Sequence, residues 1–384
     1  MISGFFTSPR VALGAGAIEQ LGGLGARRAL VLSDPSPALD VARQRVREEL
    51  EKGGARVDGF VRDAGPATSD AVTAGARRVR EFAPDLVVAL GGGTTFDLAR
   101  ALWVALERPD LEGAPVGPLT DLGLRRRARF VTVPTTSGSG ADGGWTARVR
   151  SADGRYRELL SRELQPDWTL LDPTLPRSLP PAVSVDGAVT TLAHALESVA
   201  SEWATPFSDA LARQALGNVW PAFPKLPRHL DDDLREGLHY AATLAGIGVA
   251  NAHSGLAVAL ATVIADRGGV AYARALGLVL PYVAEFNYPA ARERYQGLAP
   301  AVGAASVASR GAWGERLRQL TAAAGLPSGP GALAALGAAL PADRAEWVAE
   351  VVRHPSAAAN PRVPSPAEVE QLFVAVERAT PVTF

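Results

Sequence analysis

Short apolar segments alternate with helix-type segments through the first half of the chain, and this alternation limits the fold more than any other feature. The apolar spacing predicts strands over 29–32, 57–61, 85–90 and 130–134, and helices over 39–51, 69–82 and 98–107, with Ser69 as the N-cap of the second helix. Alternation of this kind indicates parallel strands joined by crossover helices. The first half is therefore predicted to be an α/β domain built on a parallel sheet.

The pattern changes after about residue 179, where strand-like segments stop. Helices are predicted over 184–200, 206–219, 234–265 and 270–286, and over parts of 312–352 and 366–378. We therefore predict an α/β dinucleotide-binding domain over 1–178 and an all-α domain over 179–384. The active-site cleft is expected between them, because ligands often bind where domains meet.

Composition excludes several classes of protein. The formal net charge is −1 and there is no cysteine, so neither a polyanion-binding field nor a disulfide frame or thiolate site is expected. No uninterrupted apolar stretch reaches the ~18–20 residues of a membrane span, and the N-terminus does not resemble a secretory signal. We expect a cytoplasmic protein with no nucleic-acid or membrane partner.

A glycine triplet joins the predicted strand 85–90 to a helix. Gly91, Gly92 and Gly93, followed by Thr94, let backbone N–H groups approach a pyrophosphate, and the positive end of the helix then faces the anion. Glycine also punctuates ordinary strand–helix turns, so the triplet alone leaves that alternative open.

Polar residues at two other strand ends favour a dinucleotide site. One set is Thr135, Thr136 and Ser139, which follow the strand 130–134. The other is Asp34, which follows an earlier strand and whose carboxylate can accept hydrogen bonds from the adenosine ribose. An acidic group there disfavours a 2′-phosphate, so NAD is predicted over NADP, which remains possible.

Six sequence motifs are spread along nearly the whole chain. They are 85–97 (DLVVALGGGTTFD), 134–142 (PTTSGSGAD), 171–175 (LDPTL), 192–197 (LAHALE), 280–287 (LPYVAEFN) and 360–362 (NPR). Together they resemble the iron-containing alcohol dehydrogenase family, part of the wider dehydroquinate synthase-like group. The resemblance implies that fold, NAD(P)-linked redox chemistry and a homodimer, and it adds Asp97, Leu175 and Arg157 to the cofactor-binding positions.

The same resemblance shows a departure at the family's metal site. Its ligands, an aspartate and three histidines, correspond here to Thr190, His194, Val258 and Tyr272, so one of the four is retained. Valine cannot bind any metal, and a replacement site on His194 and Glu197 is disfavoured because two ligands on one helix do not close a shell. We therefore expect no catalytic metal.

Without a metal, protein groups must move the proton and stabilise the oxyanion. His194 is the candidate general base or proton relay, Tyr272 a phenol donor, and Thr190 a residue that could orient the imidazole. His253, taken to lie on the same helix as Val258, is the fourth candidate. A structural role explains His194, Tyr272 and Thr190 at least as well, and for His253 it is the favoured interpretation.

The remaining polar residues are weaker candidates for a functional role. Arg157, at the position of a family lysine, could contact the nicotinamide ribose or a substrate carboxylate. His229, His239 and His354 lie in stretches of surface type and receive no role.

Two functions remain open at this stage. The first is a metal-independent NAD(P)-dependent alcohol or hydroxy-acid dehydrogenase or keto reductase. It could be a biosynthetic tailoring enzyme of the daptide type, which oxidises a β-hydroxy acid at a peptide C-terminus. The second is a non-catalytic cofactor-binding or partner subunit of the same fold.

Overall fold

The computed structural model describes residues 6–112, 114–226 and 228–384. The chain divides into two compact units, Thr7–Leu179 and Pro180–Phe384. Phe6 groups with the second unit rather than the first, because its ring packs against Phe207 with the ring centroids 5.4 Å apart.

The first unit contains a six-stranded sheet and a separate hairpin. Its strands are β1 (Arg10–Leu13), β2 (Arg28–Ser33), β3 (Arg56–Val61), β4 (Leu86–Gly91), β5 (Arg129–Pro134), β6 (Thr146–Arg150), β7 (Tyr156–Leu160) and β8 (Trp168–Leu171). The sheet order is β1-β8-β5-β4-β2-β3, and every pair in it is parallel. This confirms the predicted α/β class.

The sheet register aligns the strand ends that the sequence analysis singled out. Ser33 lies opposite Leu90, and Gly91 lies opposite Pro134. The carboxyl ends of β2, β4 and β5 therefore meet at one edge, which brings together the polar residues that follow them.

Three helices follow strands of this unit, and they differ from prediction in the N-cap of the second and the start of the third. They are α1 (Asp40–Lys52), α2 (Ser69–Phe82) and α3 (Gly93–Glu107). The N-cap of α2 is Thr68 rather than Ser69, because its hydroxyl oxygen accepts the N–H of Ala71 at 3.1 Å. Helix α3 begins five residues earlier than predicted, inside the glycine triplet.

The sequence analysis missed β1, β8 and the antiparallel β6–β7 hairpin. The hairpin pairs Arg148 with Glu158 and Val149 with Arg157. Charged residues occupy much of it, so no apolar run marks its strands.

The second unit is helical and has one large hydrophobic core. Its helices are α4 (Pro181–Ala200), α5 (Pro206–Val219), α6 (Asp232–Ala252), α7 (Leu256–Gly268), α8 (Tyr272–Gln296), α9 (Ala299–Val302), α10 (Arg310–Ala323), α11 (Ala332–Ala335), α12 (Ala345–Arg353) and α13 (Pro366–Arg378). Helix α4 is buried along most of its length and contributes many residues to this core.

The single helix predicted over 234–265 is wrong. The structure has two helices, α6 and α7, which meet at 106°. The break lies at His253, whose φ of 63° and ψ of 155° are incompatible with a helix. Within the described residues no single helix is long and apolar enough to cross a membrane, although the bent α6–α7 pair passes that test by length and composition.

Candidate functional site

The glycine triplet lies in a crowded turn between β4 and α3. A Cβ atom on Gly91 would lie 2.3 Å from Oδ2 of Asp34, and one on Gly92 would lie 3.0 Å from Oγ1 of Thr136. A Cβ on Gly93 would lie 3.1 Å from Oγ of Ser139. The structure therefore brings the predicted polar residues to the triplet, and the close approach of Asp34 explains why Gly91 has no side chain.

The backbone of this turn provides fewer free donors than the sequence suggested. The N–H of Gly92 donates to Oδ2 of Asp34 at 2.7 Å. The carbonyl of Gly92 accepts the N–H groups of Thr95 and Phe96 at 3.0 and 3.1 Å. The N–H groups of Gly93 and Thr94, at the start of the helix, remain for an anion. A dinucleotide pyrophosphate fits this turn through those two groups.

Asp34 is paired with an arginine that the sequence analysis missed. Nε of Arg62 donates to Oδ1 of Asp34 and to Oγ1 of Thr95, both at 2.9 Å, and Nη2 also contacts Oδ1. Nη1 of Arg62 donates to the carbonyls of Asp63 and Gly65 at 2.7 and 2.8 Å. The available signal was that Arg62 directly follows β3, the neighbour of β2.

Thr135, Thr136 and Ser139 belong to a second polar segment, which follows β5. Thr135 is buried, and its N–H donates to the carbonyl of Gly91 at 3.0 Å, so this segment is tied to the glycine turn. Oγ of Ser139 accepts the N–H of Ala141 at 3.3 Å.

A buried arginine side chain donates hydrogen bonds to the backbone near this segment. Arg100, on α3, donates to the carbonyls of Ala141, Gly144 and Leu164 at 2.6, 2.7 and 3.1 Å. Its side chain is fully buried, and this burial lowers its pKa to about 10 despite the nearby carboxyl of Asp97. The sequence analysis did not identify Arg100.

The other predicted cofactor positions lie in different surroundings. Burial raises the pKa of Asp97 to about 6, although Arg100 and Arg148 oppose the shift. Leu175 is buried in the core beneath the sheet. Arg157 is exposed on β7.

In the helical unit, a buried carboxylate links α4 to the start of α7. Glu197 lies one turn beyond His194, and its oxygens accept the N–H groups of Gly255 at 2.8 Å and Ala257 at 2.6 Å. The N–H of Val258 lies 3.4 Å from the same carboxylate. Helix α7 therefore begins against α4, which places Val258 near the part of α4 that contains His194.

An ion pair links the start of α8 to the same helix. Nε of Arg274, two residues after Tyr272, lies 2.5 Å from Oδ1 of Asp186 on α4. The carbonyl of Asp186 accepts the hydroxyl of Thr190 at 2.9 Å. The elements that contain Thr190, His194, Val258 and Tyr272 are thus joined around α4.

Two histidine assignments are corrected. His253 does not lie on a helix with Val258, because it ends α6 with a positive φ and its ring meets Trp203 edge-on at 4.6 Å. His239 is 1% exposed, so it is a core residue of α6 rather than a surface one. His229 is exposed and pairs with Asp231, and His354 caps a short turn at Ser356.

The residues at the four positions where the family resemblance implies metal ligands do not fit a divalent ion. They offer a hydroxyl, an imidazole, an isopropyl group and a phenol, whereas such ions need several converging imidazoles or carboxylates. In the described ranges, no group of three or more histidine, aspartate and glutamate residues is arranged to hold a metal ion. We therefore assign no catalytic step of this protein to a metal ion.

Comparisons with known proteins agree with the fold. Residues 8–173 match the family model for iron-containing alcohol dehydrogenase, and residues 184–376 match the model for the C-terminal part of that family. The alcohol dehydrogenase of Thermococcus barophilus is 32% identical over 311 residues, covering 78% of this chain and 80% of that protein. The NADPH-dependent butanol dehydrogenase of Clostridium saccharobutylicum is 30% identical over 299 residues, covering 77% and 76%.

A solved structure shows the same similarity. The iron-containing alcohol dehydrogenase of Thermococcus thioreducens matches with a TM-score of 0.86 and 27% identity, covering 97% of this chain and 99% of that one. The chain belongs to the iron-containing alcohol dehydrogenase family, which confirms the resemblance, and its class is that of the alcohol dehydrogenase-type oxidoreductases.

Proposed function

We propose that this protein is an NAD(H)-linked alcohol or hydroxy-acid dehydrogenase, or a keto reductase in the reverse direction, that works without a catalytic metal. One observation supports this proposal above the others. The four positions that bind metal in the family contain Thr190, His194, Val258 and Tyr272, whereas the glycine turn for the cofactor is intact.

In the proposed mechanism, protein side chains accept the proton of the substrate hydroxyl and stabilise its oxygen. Bound NAD supplies the acceptor for the hydride that leaves the substrate carbon as its C–O bond becomes a carbonyl. His194 takes the hydroxyl proton, because an imidazole titrates near neutrality. The phenol of Tyr272 donates a hydrogen bond to the substrate oxygen as negative charge develops there. Thr190 is assigned a positioning role beside His194.

The proposed substrate carries a carboxylate beside its alcohol. Oxidation of a β-hydroxy acid gives a β-keto acid, which decarboxylates readily, and a guanidinium binds a carboxylate with two hydrogen bonds. The exposed Arg157 on β7 is the candidate group. The C-terminal threonine of a peptide has this chemistry, so a tailoring enzyme of the daptide type is the specific version of the proposal. A cytoplasmic homodimer that binds neither nucleic acid nor membrane belongs to the same proposal.

Loss of three family ligand positions also favours a second candidate, a cofactor-binding or partner subunit without activity. A substrate panel separates the two. Chelator-treated protein would be assayed with NADH against β-keto acids, keto acids and aldehydes, and with NAD against β-hydroxy acids and a peptide ending in threonine. The dehydrogenase proposal expects turnover that Tyr272→Phe and His194→Gln both reduce.

Each other outcome of the panel has a clear meaning. NADH binding without turnover on any substrate would favour the non-catalytic subunit. Turnover that disappears with chelator and returns with added iron or zinc would contradict metal independence.

A further inference from the structure

Two arginines flank Asp34 at the ribose end of the proposed dinucleotide site. Arg62 binds the side chain, and the two partners are only 12% and 14% exposed. Nη1 of Arg43 donates to the main-chain carbonyl of Asp34 at 2.8 Å, and its own carboxylate partner, Asp40, is 72% exposed. Counting Arg62 and Arg43 against Asp34 and Asp40, the group has no net charge, whereas the sequence analysis considered only the negative charge of Asp34.

A surface cavity lies beside this group. It has a volume of ≈ 370 Å³, and the polar and charged residues of its lining include Ser33, Asp40, Arg43 and Arg47. Ser33 immediately precedes Asp34, so a group extending from a ribose at Asp34 has room next to Arg43 and one further guanidinium group, that of Arg47. These two arginines pair with Asp40 and Glu51.

Both oxygens of Asp34 are already engaged. Arg62 uses Oδ1, and the N–H of Gly92 uses Oδ2. A carboxylate selects against a 2′-phosphate by repelling it and by accepting the ribose hydroxyls in its place. Arg62 weakens both effects, since it neutralises the charge and occupies one acceptor.

We propose that Arg62 broadens the cofactor specificity of this protein, so that dinucleotides with a 2′-phosphate on the adenosine ribose bind as well as those without it. Arg62 acts through Asp34 and is a positioning residue, because its own donors are used by Asp34, Thr95 and two carbonyls. The inference rests on the proposed function only in placing a dinucleotide at the glycine turn.

Direct binding tests the proposal without any substrate. The purified protein would be titrated with NADH and with NADPH, and nicotinamide fluorescence would give a Kd for each. The wild type is expected to bind both with values within about tenfold of each other. Arg62→Met is expected to weaken NADPH binding by roughly tenfold to a hundredfold relative to NADH, because Asp34 is then an uncompensated charge beside the phosphate.

Three further variants make the result specific. Arg62→Lys keeps the positive charge and is expected to keep most of the NADPH binding. Asp34→Asn is expected to shift the Kd ratio toward NADPH, which decides the question even if Arg62→Met folds poorly. Arg78→Met removes a more exposed arginine–aspartate pair, with Asp58 of β3, and is expected to leave both Kd values unchanged.

Two results would overturn the proposal while leaving the proposed function intact. One is a wild type that binds NADH but not NADPH. The other is a Kd ratio that neither Arg62→Met nor Asp34→Asn changes. Failure to bind either cofactor would instead overturn the proposed function together with this inference.

Discussion

Glu197 accepts the N–H of Ala257 at 2.6 Å, and this bond joins α4, one turn beyond His194, to the first turn of α7. The carboxylate is only 4% exposed and also accepts the N–H of Gly255. Asn360 completes the junction, since its side-chain oxygen accepts the N–H of Leu256 at 3.1 Å. The break between α6 and α7 is thus fixed by residues distant in sequence.

Glu197 is expected to make stability depend on pH. Burial raises its pKa to about 7 from an ordinary value of 4.5, although three N–H groups oppose the shift. The folded state therefore holds a proton that the unfolded state has lost at intermediate pH. This stabilisation is complete below pH 4.5 and is lost as pH rises through 7, by an amount of about 3 kcal/mol.

Urea unfolding at several pH values measures this effect. The free energy of unfolding of the wild type should fall between pH 5 and pH 8, and Glu197→Gln should lose a large part of that slope. Glu202→Gln, at an exposed glutamate nearby in sequence, should keep the slope. Equal slopes in wild type and Glu197→Gln would show that Glu197 is already ionised at pH 5.

His253 is expected to store backbone strain. Its φ of 63° and ψ of 155° lie in a region that glycine adopts easily and other residues avoid at a cost of roughly 1–3 kcal/mol. Both His253→Gly and His253→Ala lose the contact with Trp203, so comparing these two variants isolates the backbone. The glycine variant should unfold with a free energy higher by about that amount, as thermal or urea unfolding would show.

At an ordinary position the order should reverse. His229 is exposed, so His229→Ala should be at least as stable as His229→Gly. If the alanine variant were the more stable one at position 253 as well, the strained conformation there would be wrong.

Gly91 is expected to tolerate no side chain. A Cβ there would lie 2.3 Å from Asp34 Oδ2 and 2.7 Å from Thr95 Oγ1, so either Asp34 or the turn must move. Gly91→Ala should weaken NADH binding by about tenfold or more. Gly117→Ala, in the same unit but with open space around its Cβ, should bind NADH like the wild type. Equal NADH affinity in the two variants would place the cofactor elsewhere.

Arg100 is expected to support the polar segment after β5. Arg100→Met would leave three buried or part-buried carbonyls without this donor and would remove one of the two cations near Asp97, at a cost of roughly 3–5 kcal/mol. Both the urea midpoint and NADH affinity should fall, whereas Arg155→Met, at an exposed arginine, should change neither. A stable Arg100→Met protein with loss of NADH binding alone would indicate direct contact between Arg100 and the cofactor.

The sequence was sufficient for four of the six sheet strands and for the glycine turn because their signals are local. Most of these strands are apolar runs, and the triplet Gly91–Gly93 marks a turn in which a Cβ atom has no room beside Asp34. The helical unit was visible for the same reason, through apolar residues at helical spacing.

Features that depend on distant contacts were missed. The pairing of Arg62 with Asp34 follows from the β2–β3 register, and the residues adjacent in sequence to either one do not indicate it. The apolar composition continues across the α6–α7 break, which is set by Glu197 and Asn360. His239 follows the charged stretch 231–236 in sequence yet is buried, because its position on the helix and not the composition of the stretch before it decides its burial.

The proposed redox chemistry proceeds on protein groups instead of a metal ion. Metal content can be measured by mass spectrometry on purified protein, alongside NADH-dependent turnover of the same sample. We expect turnover in protein that contains far less than one equivalent of iron, zinc or manganese per chain. Turnover proportional to metal content, approaching one equivalent in the most active fraction and abolished by His194→Gln together with the metal, would contradict it.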